Sequence, residues 1–251
     1  MNMSKVSNKN TAWFEEWFDS PFYHILYKDR DDKEAKSFIS NLVNFLQPDE
    51  NATFVDVACG KGRHAMYLNS LGHIVDGFDL SENSITNAKL KETDTLHFYT
   101  NDIRLPLKEN HYQFAFNLFT SFGYFDDEED NQKAIDAIVK SLKPNGTLVL
   151  DFMNSDKVIN TLVQSEIKKI DGISFGIKRS YINQHIIKDI NFNSAGGNYH
   201  FQEKVKAITL DSFKNYFEKS NLIIDDIFGD YNLAPFNINT SDRLILIARK
   251  K

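Results

Sequence analysis

Cysteine is nearly absent from this sequence. Cys59 is the single cysteine among 251 residues, so an intramolecular disulfide cannot form and no cysteine–histidine metal cluster is available. We therefore expect a protein that binds no metal and works in a reducing compartment.

Long hydrophobic runs are absent as well. Residues 1–10 are polar and lack the apolar centre of a signal peptide. The apolar run near the end, Leu244 to Ala248, is far too short to span a bilayer. We expect a soluble, cytoplasmic protein without a membrane partner.

Positive charge is in deficit. Lysine and arginine total 29 against 35 acidic residues, which gives a net charge of −6. Nucleic-acid binding needs clustered lysine and arginine at the phosphates, so we expect no duplex nucleic-acid partner, although a local basic patch stays possible. The length suits one elaborated domain, and both a monomer and a homodimer remain open.

Buried-strand and helix patterns alternate through the first 152 residues. The expected strands are Thr53 to Val57, His73 to Phe78, Leu96 to Tyr99, Phe114 to Leu118 and Thr147 to Phe152. The expected helices are Ala35 to Leu46 after the cap Asp31-Asp32, Arg63 to Leu71, Ser81 to about Lys91, and Glu128 to Leu142. This alternation predicts a doubly wound α/β domain with a mostly parallel sheet.

The pattern changes after about residue 170. Three segments, Ile173 to Ile182, His185 to Phe192 and Tyr199 to Thr209, indicate strands joined by turns. They predict an antiparallel insertion at about 170–209. A helix capped by Asp211 and two final strands, Leu222 to Phe228 and Leu244 to Ala248, would follow it.

Aromatic residues crowd the start of the chain, on both sides of Pro21, which predicts two short helices. They are Trp13, Phe14, Trp17, Phe18, Phe22, Tyr23 and Tyr27. We expect residues 1–30 to form a lid over the carboxyl edge of the sheet and residues 31–251 to form the main domain. A helix packed permanently on the sheet is the alternative.

The chemistry is most evident at a Gly60-x-Gly62 turn between the first strand and its helix. Glycines let a ligand approach the backbone closely. Asp79 ends the second strand, where a carboxylate can accept both hydroxyls of a ribose, and Asp102 follows the third. A dinucleotide is the competing ligand, since Ala65 completes a formal fingerprint. However, the carboxylate of Asp56 would repel a pyrophosphate, whereas it suits the cationic amino group of S-adenosylmethionine.

The stretch from Val55 to Gly62, together with Asp79, Asp102 and 117–119, resembles the class I S-adenosylmethionine-dependent methyltransferases over about residues 20–152. The resemblance implies a Rossmann-like, seven-stranded sheet with the antiparallel insertion before its last two strands. It also implies a cofactor site. The implied cofactor-binding residues are Tyr27, Asp56, Ala58, Gly60, Gly62, Asp79, Leu80, Asp102, Ile103 and Leu118.

The segments 23–27 and 119–124 are similar to small-molecule methyltransferases. The implied reaction transfers a methyl group to an N, O or C atom of a small acceptor and leaves S-adenosylhomocysteine. Tyr124 is the catalytic candidate, with a core aromatic as the alternative. Methylation of tRNA or protein, and a non-catalytic S-adenosylmethionine- or NAD-binding protein, stay open. Asp151, Asn154 and Arg243 lie near strand ends without an assigned role.

Overall fold

The computed structural model describes residues 13–28, 32–194 and 196–251. The helices there are α1 (Trp13–Phe18), α2 (Pro21–Leu26), α3 (Asp32–Leu46), α4 (Arg63–Ser70), α5 (Glu82–Lys89), α6 (Glu128–Ser141), α7 (Ser155–Asn160) and α8 (Leu210–Lys219). The strands are β1 (Thr53–Val57), β2 (Ile74–Asp79), β3 (Leu96–Thr100), β4 (Tyr112–Asn117), β5 (Leu142–Met153), β6 (Ser165–Ile170), β7 (Ile173–Ile182), β8 (His185–Ser194), β9 (Gly197–Lys206), β10 (Leu222–Phe228) and β11 (Arg243–Lys250). No helix in these ranges is both long and apolar enough to cross a membrane.

Seven strands form the main sheet, in the order β10-β11-β5-β4-β1-β2-β3. Strands β1 to β5 pair in parallel, and β11 runs antiparallel to both β5 and β10. Because side chains alternate between the faces of a strand, Val55 and Val57 enter one buried cluster while Phe54 enters the cluster on the other face. The expected doubly wound, mostly parallel sheet is confirmed.

The order of connections reverses at β1, which lies between β2 and β4. In open α/β sheets, ligands bind outside the carboxyl ends of the strands at such a point. Asp56 and Asn117 lie near those ends. Residues that the sequence analysis singled out therefore lie at the edge of the sheet where ligands are expected to bind.

The insertion is a separate antiparallel sheet of four strands, β6-β7-β8-β9. Its first strand, β6, was not expected from the sequence. The segment reads SEIKKI and is largely exposed, so it lacks the apolar alternation that marks a half-buried strand. The expected cap of α8 was also wrong: the Thr209 hydroxyl, not Asp211, accepts the backbone N–H of Ser212 at 3.3 Å.

Helices α1 and α2 pack on the inner face of this second sheet. Trp17 is fully buried, and its ring lies 4.6 Å from that of Phe201 on β9. Phe175, Ile177, Ile190 and Phe192 complete a third hydrophobic cluster there. Trp17 and Phe22 therefore pack mainly on the four-stranded sheet. The expected cap Asp31 lies outside the described residues.

Candidate functional site

A cavity of about 1190 Å³ opens at the carboxyl edge of the main sheet. Loops after β1 to β4 form one side, and helix α2 with the inner face of the four-stranded sheet forms the other. Such a volume exceeds the ~300–1,000 Å³ typical of small-molecule pockets, so there is room for a cofactor and an acceptor. The expected site residues that line it are Tyr27, Asp56, Ala58, Gly60, Asp79, Leu80, Asp102, Ile103, Leu118 and Tyr124.

The turn after β1 is bound to the end of β2. Ala58 and Gly60 both have positive φ, at 58° and 56°, and the Gly60 N–H donates to Asp79 Oδ2 at 2.8 Å. A Cβ added to Gly60 would meet no atom within 4 Å. The turn therefore leaves open space beside its backbone, where a ligand can approach.

Gly62 has a different environment from Gly60. Its φ is 80°, and a Cβ there would lie 2.4 Å from the ring of Phe98 on β3. Gly62 does not line the cavity. Close packing accounts for this glycine, and its predicted contact with the cofactor stays a prediction.

The Asp79 carboxylate is held at both oxygens. Oδ1 accepts the Ser81 N–H at 2.9 Å, and Oδ2 accepts that of Gly60. Burial raises the pKa of Asp79 above its ordinary value, against the lowering effect of these hydrogen bonds. Each oxygen keeps a second lone pair, so the group can accept further hydrogen bonds from a diol.

Asp56 is a deeply buried carboxylate, only 1% exposed. It accepts the Ala65 N–H at 3.1 Å, and among the described residues no lysine or arginine forms an ion pair with it. Burial raises the pKa of Asp56 to about 7. The cavity wall therefore holds an acid whose charge a cationic ligand would stabilise.

Asp102 is already paired. It accepts from the Arg104 backbone N–H at 2.8 Å and from the guanidinium at 2.6 Å, and Arg104 also binds Asp130 at 2.7 Å. The hydrogen bond from Arg104 lowers the pKa of Asp102. This pairing was missed, although Arg104 stands two residues away in the sequence. The predicted contact of Asp102 with the cofactor stays a prediction.

The apolar members of the expected set lie on the cavity wall beside these carboxylates. Leu80 is 41% exposed, Ile103 is half-buried and Leu118 is buried. Apolar surface of this kind suits a flat ring such as adenine.

The loop after β4 is strained and braced from below. Phe119 and Thr120 have φ of 58° and 61°. Asp151, fully buried, accepts the Phe119 N–H at 2.8 Å and the Arg243 Nε at 2.8 Å, while Arg243 also donates to the Thr120 hydroxyl at 2.9 Å. Asp151 and Arg243 thus hold a strained backbone at the site.

Asn154 also lacked a role from the sequence. Its side-chain nitrogen donates to the carbonyls of Ile238 and Ser241, at 2.8 and 2.9 Å. Its side-chain oxygen accepts the Lys157 N–H and caps α7. Asn154 therefore fixes the chain that leads into β11.

Tyr124 reaches the cavity from the same loop. Its hydroxyl donates to the Thr120 carbonyl at 2.7 Å, and its ring lies 5.5 Å from that of Phe18. The phenol proton is engaged within the loop. A catalytic role for Tyr124 stays a prediction.

Tyr27 is fixed by residues that the sequence did not single out. Its hydroxyl donates to Glu203 Oε1 at 2.6 Å and accepts from Lys188 Nζ. The indole of Trp17 donates to the same Glu203 oxygen at 2.7 Å. On the inner face of their strands, Lys188 and Glu203 each stand between apolar residues. A charged residue at such a position is costly to bury without a reason, and this pattern could have identified both residues from the sequence.

His64 also contributes to the cavity wall. It stacks on the Phe119 ring at 5.0 Å, and its Nε2 is buried with no partner among the described residues. Burial lowers the pKa of His64 to about 3. The imidazole is therefore neutral at pH 7.

Several known proteins resemble this chain. It is 30% identical over 133 residues to the dTDP-3-amino-3,4,6-trideoxy-alpha-D-glucopyranose N,N-dimethyltransferase of Streptomyces venezuelae, covering 51% of this chain and 54% of that enzyme. It is 29% identical over 156 residues to the ubiquinone biosynthesis O-methyltransferase of Hydrogenovibrio crunogenus, covering 60% and 61%. The matches thus span less than two thirds of either relative.

The fold is also found in a solved S-adenosylmethionine-dependent methyltransferase from Clostridium acetobutylicum. The TM-score is 0.77 at 18% identity, covering 91% of this chain and 96% of that one. The sequence model of the methyltransferase domain matches residues 48–219. This range contains β1 to β4 and the loops at their carboxyl ends that line the cavity. The chain therefore belongs to the methyltransferase-domain family.

Proposed function

We propose that this protein is an S-adenosylmethionine-dependent methyltransferase that acts on a small-molecule acceptor. The observation that carries the proposal is the Gly60 turn, bound to Asp79 and open to the cavity. Beside it lies the buried carboxylate of Asp56, which forms no ion pair with the described residues. This set matches the ribose, the methionine backbone and the cationic ammonium of that cofactor.

The residues present fit the cofactor in three respects. Asp79 offers two oxygens with spare lone pairs to the ribose hydroxyls. Asp56 offers its buried carboxylate to the ammonium group. Leu80 and Ile103 offer apolar surface to the adenine. A pyrophosphate in the same place would face two carboxylates, which disfavours NAD.

The bound cofactor supplies a methyl group on a sulfonium, already activated toward a nucleophile. The chain's residues then have to hold the acceptor in line and exclude water, and positioning of this kind contributes ~7–11 kcal/mol in favourable cases. The braced loop at Phe119 and Thr120 is the rigid support on the acceptor side. Tyr124 contacts the acceptor in this proposal.

The two relatives narrow the acceptor atom. One is named for transfer to the nitrogen of an amino sugar and the other for transfer to an oxygen in ubiquinone biosynthesis. An amine nitrogen or a hydroxyl oxygen is therefore the acceptor atom we favour. The net charge of −6 also favours a small molecule over duplex nucleic acid, so we expect no retention of duplex DNA at physiological salt.

The test is calorimetry with S-adenosylhomocysteine on the purified protein. Asp79→Asn should weaken binding by about 1–3 kcal/mol, because the ribose hydroxyls lose a charged acceptor. Asp94→Asn, an exposed aspartate before β3, is the matched control and should bind as the parent does. Tight binding of NAD with no response to S-adenosylhomocysteine would refute the proposal. An acceptor screen that follows S-adenosylhomocysteine release then tests turnover.

A further inference from the structure

A row of four charged side chains crosses the inner face of the four-stranded sheet. Arg179, Lys188 and Glu203 are directly paired across β7, β8 and β9, and Glu166 of β6 contacts Arg179. The neighbouring positions on this face are apolar, namely Ile177, Ile190 and Phe201 on one side and Ile186 and Val205 on the other. The four charged side chains are therefore flanked by apolar side chains on the same face of the sheet.

The middle of the row places two cations side by side. Arg179 and Lys188 have side chains only 20% and 14% exposed. Like charges directly opposite each other destabilise a sheet. Glu166 and Glu203 offset this cost from the two ends of the row. Packing alone does not require four partly buried charges, since apolar residues of similar size would fill the same space.

Arg179 retains unused hydrogen-bonding capacity toward the cavity. One terminal nitrogen donates to Glu166 and the other to the Val163 carbonyl at 3.3 Å, while its Nε has no acceptor among the described residues. By contrast, Arg104 and Arg243 use Nε and terminal nitrogens on aspartates. Arg179 thus has a less satisfied fork than Arg104 and Arg243.

The cavity has the opposite charge balance to the molecule. The described residues that line it include seven lysines and arginines against five carboxylates, whereas the whole chain has a net charge of −6. Asp56 and Asp79 lie at the cofactor edge. Arg179 and Lys188 lie on the other side, beside Glu203, where the acceptor would bind.

We propose that Arg179 and Lys188 form an oxyanion-binding wall for the acceptor, which therefore carries a carboxylate or a phosphate group. The inference rests on the proposed function and specifies its acceptor class. The planar guanidinium binds either group through two parallel hydrogen bonds. Lys188 adds charge and, through Tyr27, links this wall to helix α2.

The experiment uses the full chain saturated with S-adenosylhomocysteine. Pyrophosphate and malonate are titrated separately by calorimetry, as probes for a phosphate and a carboxylate group on the acceptor. At least one should bind, and the probe that binds more tightly identifies which group the acceptor carries. Arg179→Gln should weaken that probe roughly ten- to a hundredfold. Lys178→Gln is the matched control, since it removes one positive charge at the preceding, exposed position on the opposite face of β7.

A second readout uses acceptors found in the release assay. An acid or phosphate ester should turn over, and its neutral amide or ester should not. Arg179→Gln should raise the acceptor KM by a similar factor while leaving kcat and S-adenosylhomocysteine affinity near those of the parent. Should that variant fail to fold, Arg179→Lys keeps the charge but loses the fork, and it should still raise the KM.

Three results would overturn the assignment: no binding of either probe, equal turnover of neutral acceptors, or unchanged probe affinity and KM in both arginine variants. Each leaves S-adenosylhomocysteine binding intact. Loss of S-adenosylhomocysteine binding in the parent protein would instead refute the proposed function itself.

Discussion

At the scale of single residues, the two glycines of the turn after β1 have separate physical reasons. Gly60 has positive φ beside open space, and Gly62 has positive φ against the buried ring of Phe98. The same substitution at both positions therefore separates ligand access from packing.

Gly60→Ala should lower the unfolding free energy by only about 1–2 kcal/mol, because the residue keeps a left-handed backbone conformation. It should also reduce the affinity for S-adenosylhomocysteine, because the new Cβ enters the space left for the ligand. Gly62→Ala should cost about 1–3 kcal/mol more than Gly60→Ala, because the methyl group must displace the Phe98 ring. Urea unfolding and calorimetry on both variants check this. Equal stability losses would contradict the packing role of Gly62.

Asp56, at the same edge of the sheet, should make both the stability of the protein and its affinity for S-adenosylhomocysteine depend on pH. Burial raises its pKa to about 7 from the ordinary value of 3.8, so between these two pH values the folded protein binds a proton that the unfolded chain has released. Stability contributed by Asp56 therefore falls as pH rises from about 4 to about 7. Binding of a cationic ammonium favours the ionised form, so S-adenosylhomocysteine affinity should rise through pH 7.

Asp56→Asn keeps an acceptor for the Ala65 N–H and removes the titration. Calorimetry below and above pH 7 should show weaker binding with a flatter pH profile than in the parent. An unchanged profile in Asp56→Asn would assign the pH dependence to another group.

At the scale of elements, β11 carries two arginine–aspartate pairs of different kinds. Arg243, at its start, binds the fully buried Asp151 and braces the loop after β4. Arg249, near its end, binds Asp225 where both side chains are well exposed. The strand thus provides a comparison between a buried pair and a surface pair.

Arg243→Met should lower the unfolding free energy by about 3–5 kcal/mol, because it leaves the Asp151 carboxylate buried without its partner. Arg249→Met should cost no more than about 1 kcal/mol. Urea unfolding of the two variants provides the measurement. Similar small losses would show that the loop does not depend on the Asp151–Arg243 pair.

At the scale of the whole molecule, two hydrophobic clusters enclose the main sheet and a third joins α1 and α2 to the four-stranded sheet. Glu203 connects Trp17 and Tyr27 to that sheet at the cavity wall. The expected lid function of residues 1–30 stays a prediction. In this arrangement a lid would move against the second sheet and against Tyr124 in the loop after β4.

Tryptophan fluorescence tests this lid prediction, since both tryptophans of the chain, Trp13 and Trp17, lie in the N-terminal segment. In a Trp13→Phe variant, Trp17 reports on the segment alone. Without ligand, the change in Trp17 fluorescence should occur at a lower urea concentration than the loss of far-ultraviolet circular dichroism. Bound S-adenosylhomocysteine should shift the fluorescence change to a higher urea concentration. A transition that coincides with the main unfolding, with and without ligand, would make the segment part of the core.

Local patterns determined most of the main domain. Val55 and Val57 are buried on one face of the parallel sheet and Phe54 on the other, so continuous apolar runs identified the strands. Gly60 and Asp79 were predictable because a turn and a strand end fix their positions within a few residues. The same reasoning missed β6, whose exposed residues carry no periodic signal.

Only the tertiary structure decided the partners of the site residues. Tyr27 meets Glu203 across 176 positions, and Asp151 meets Arg243 across 92. Periodicity tells which face of a strand a side chain occupies, but not which other element covers that face. The sequence alone therefore located the proposed cofactor edge, where one turn and two strand ends suffice. The proposed acceptor wall required the fold, because it forms where a second sheet and an N-terminal helix meet, and these elements are far apart in the chain.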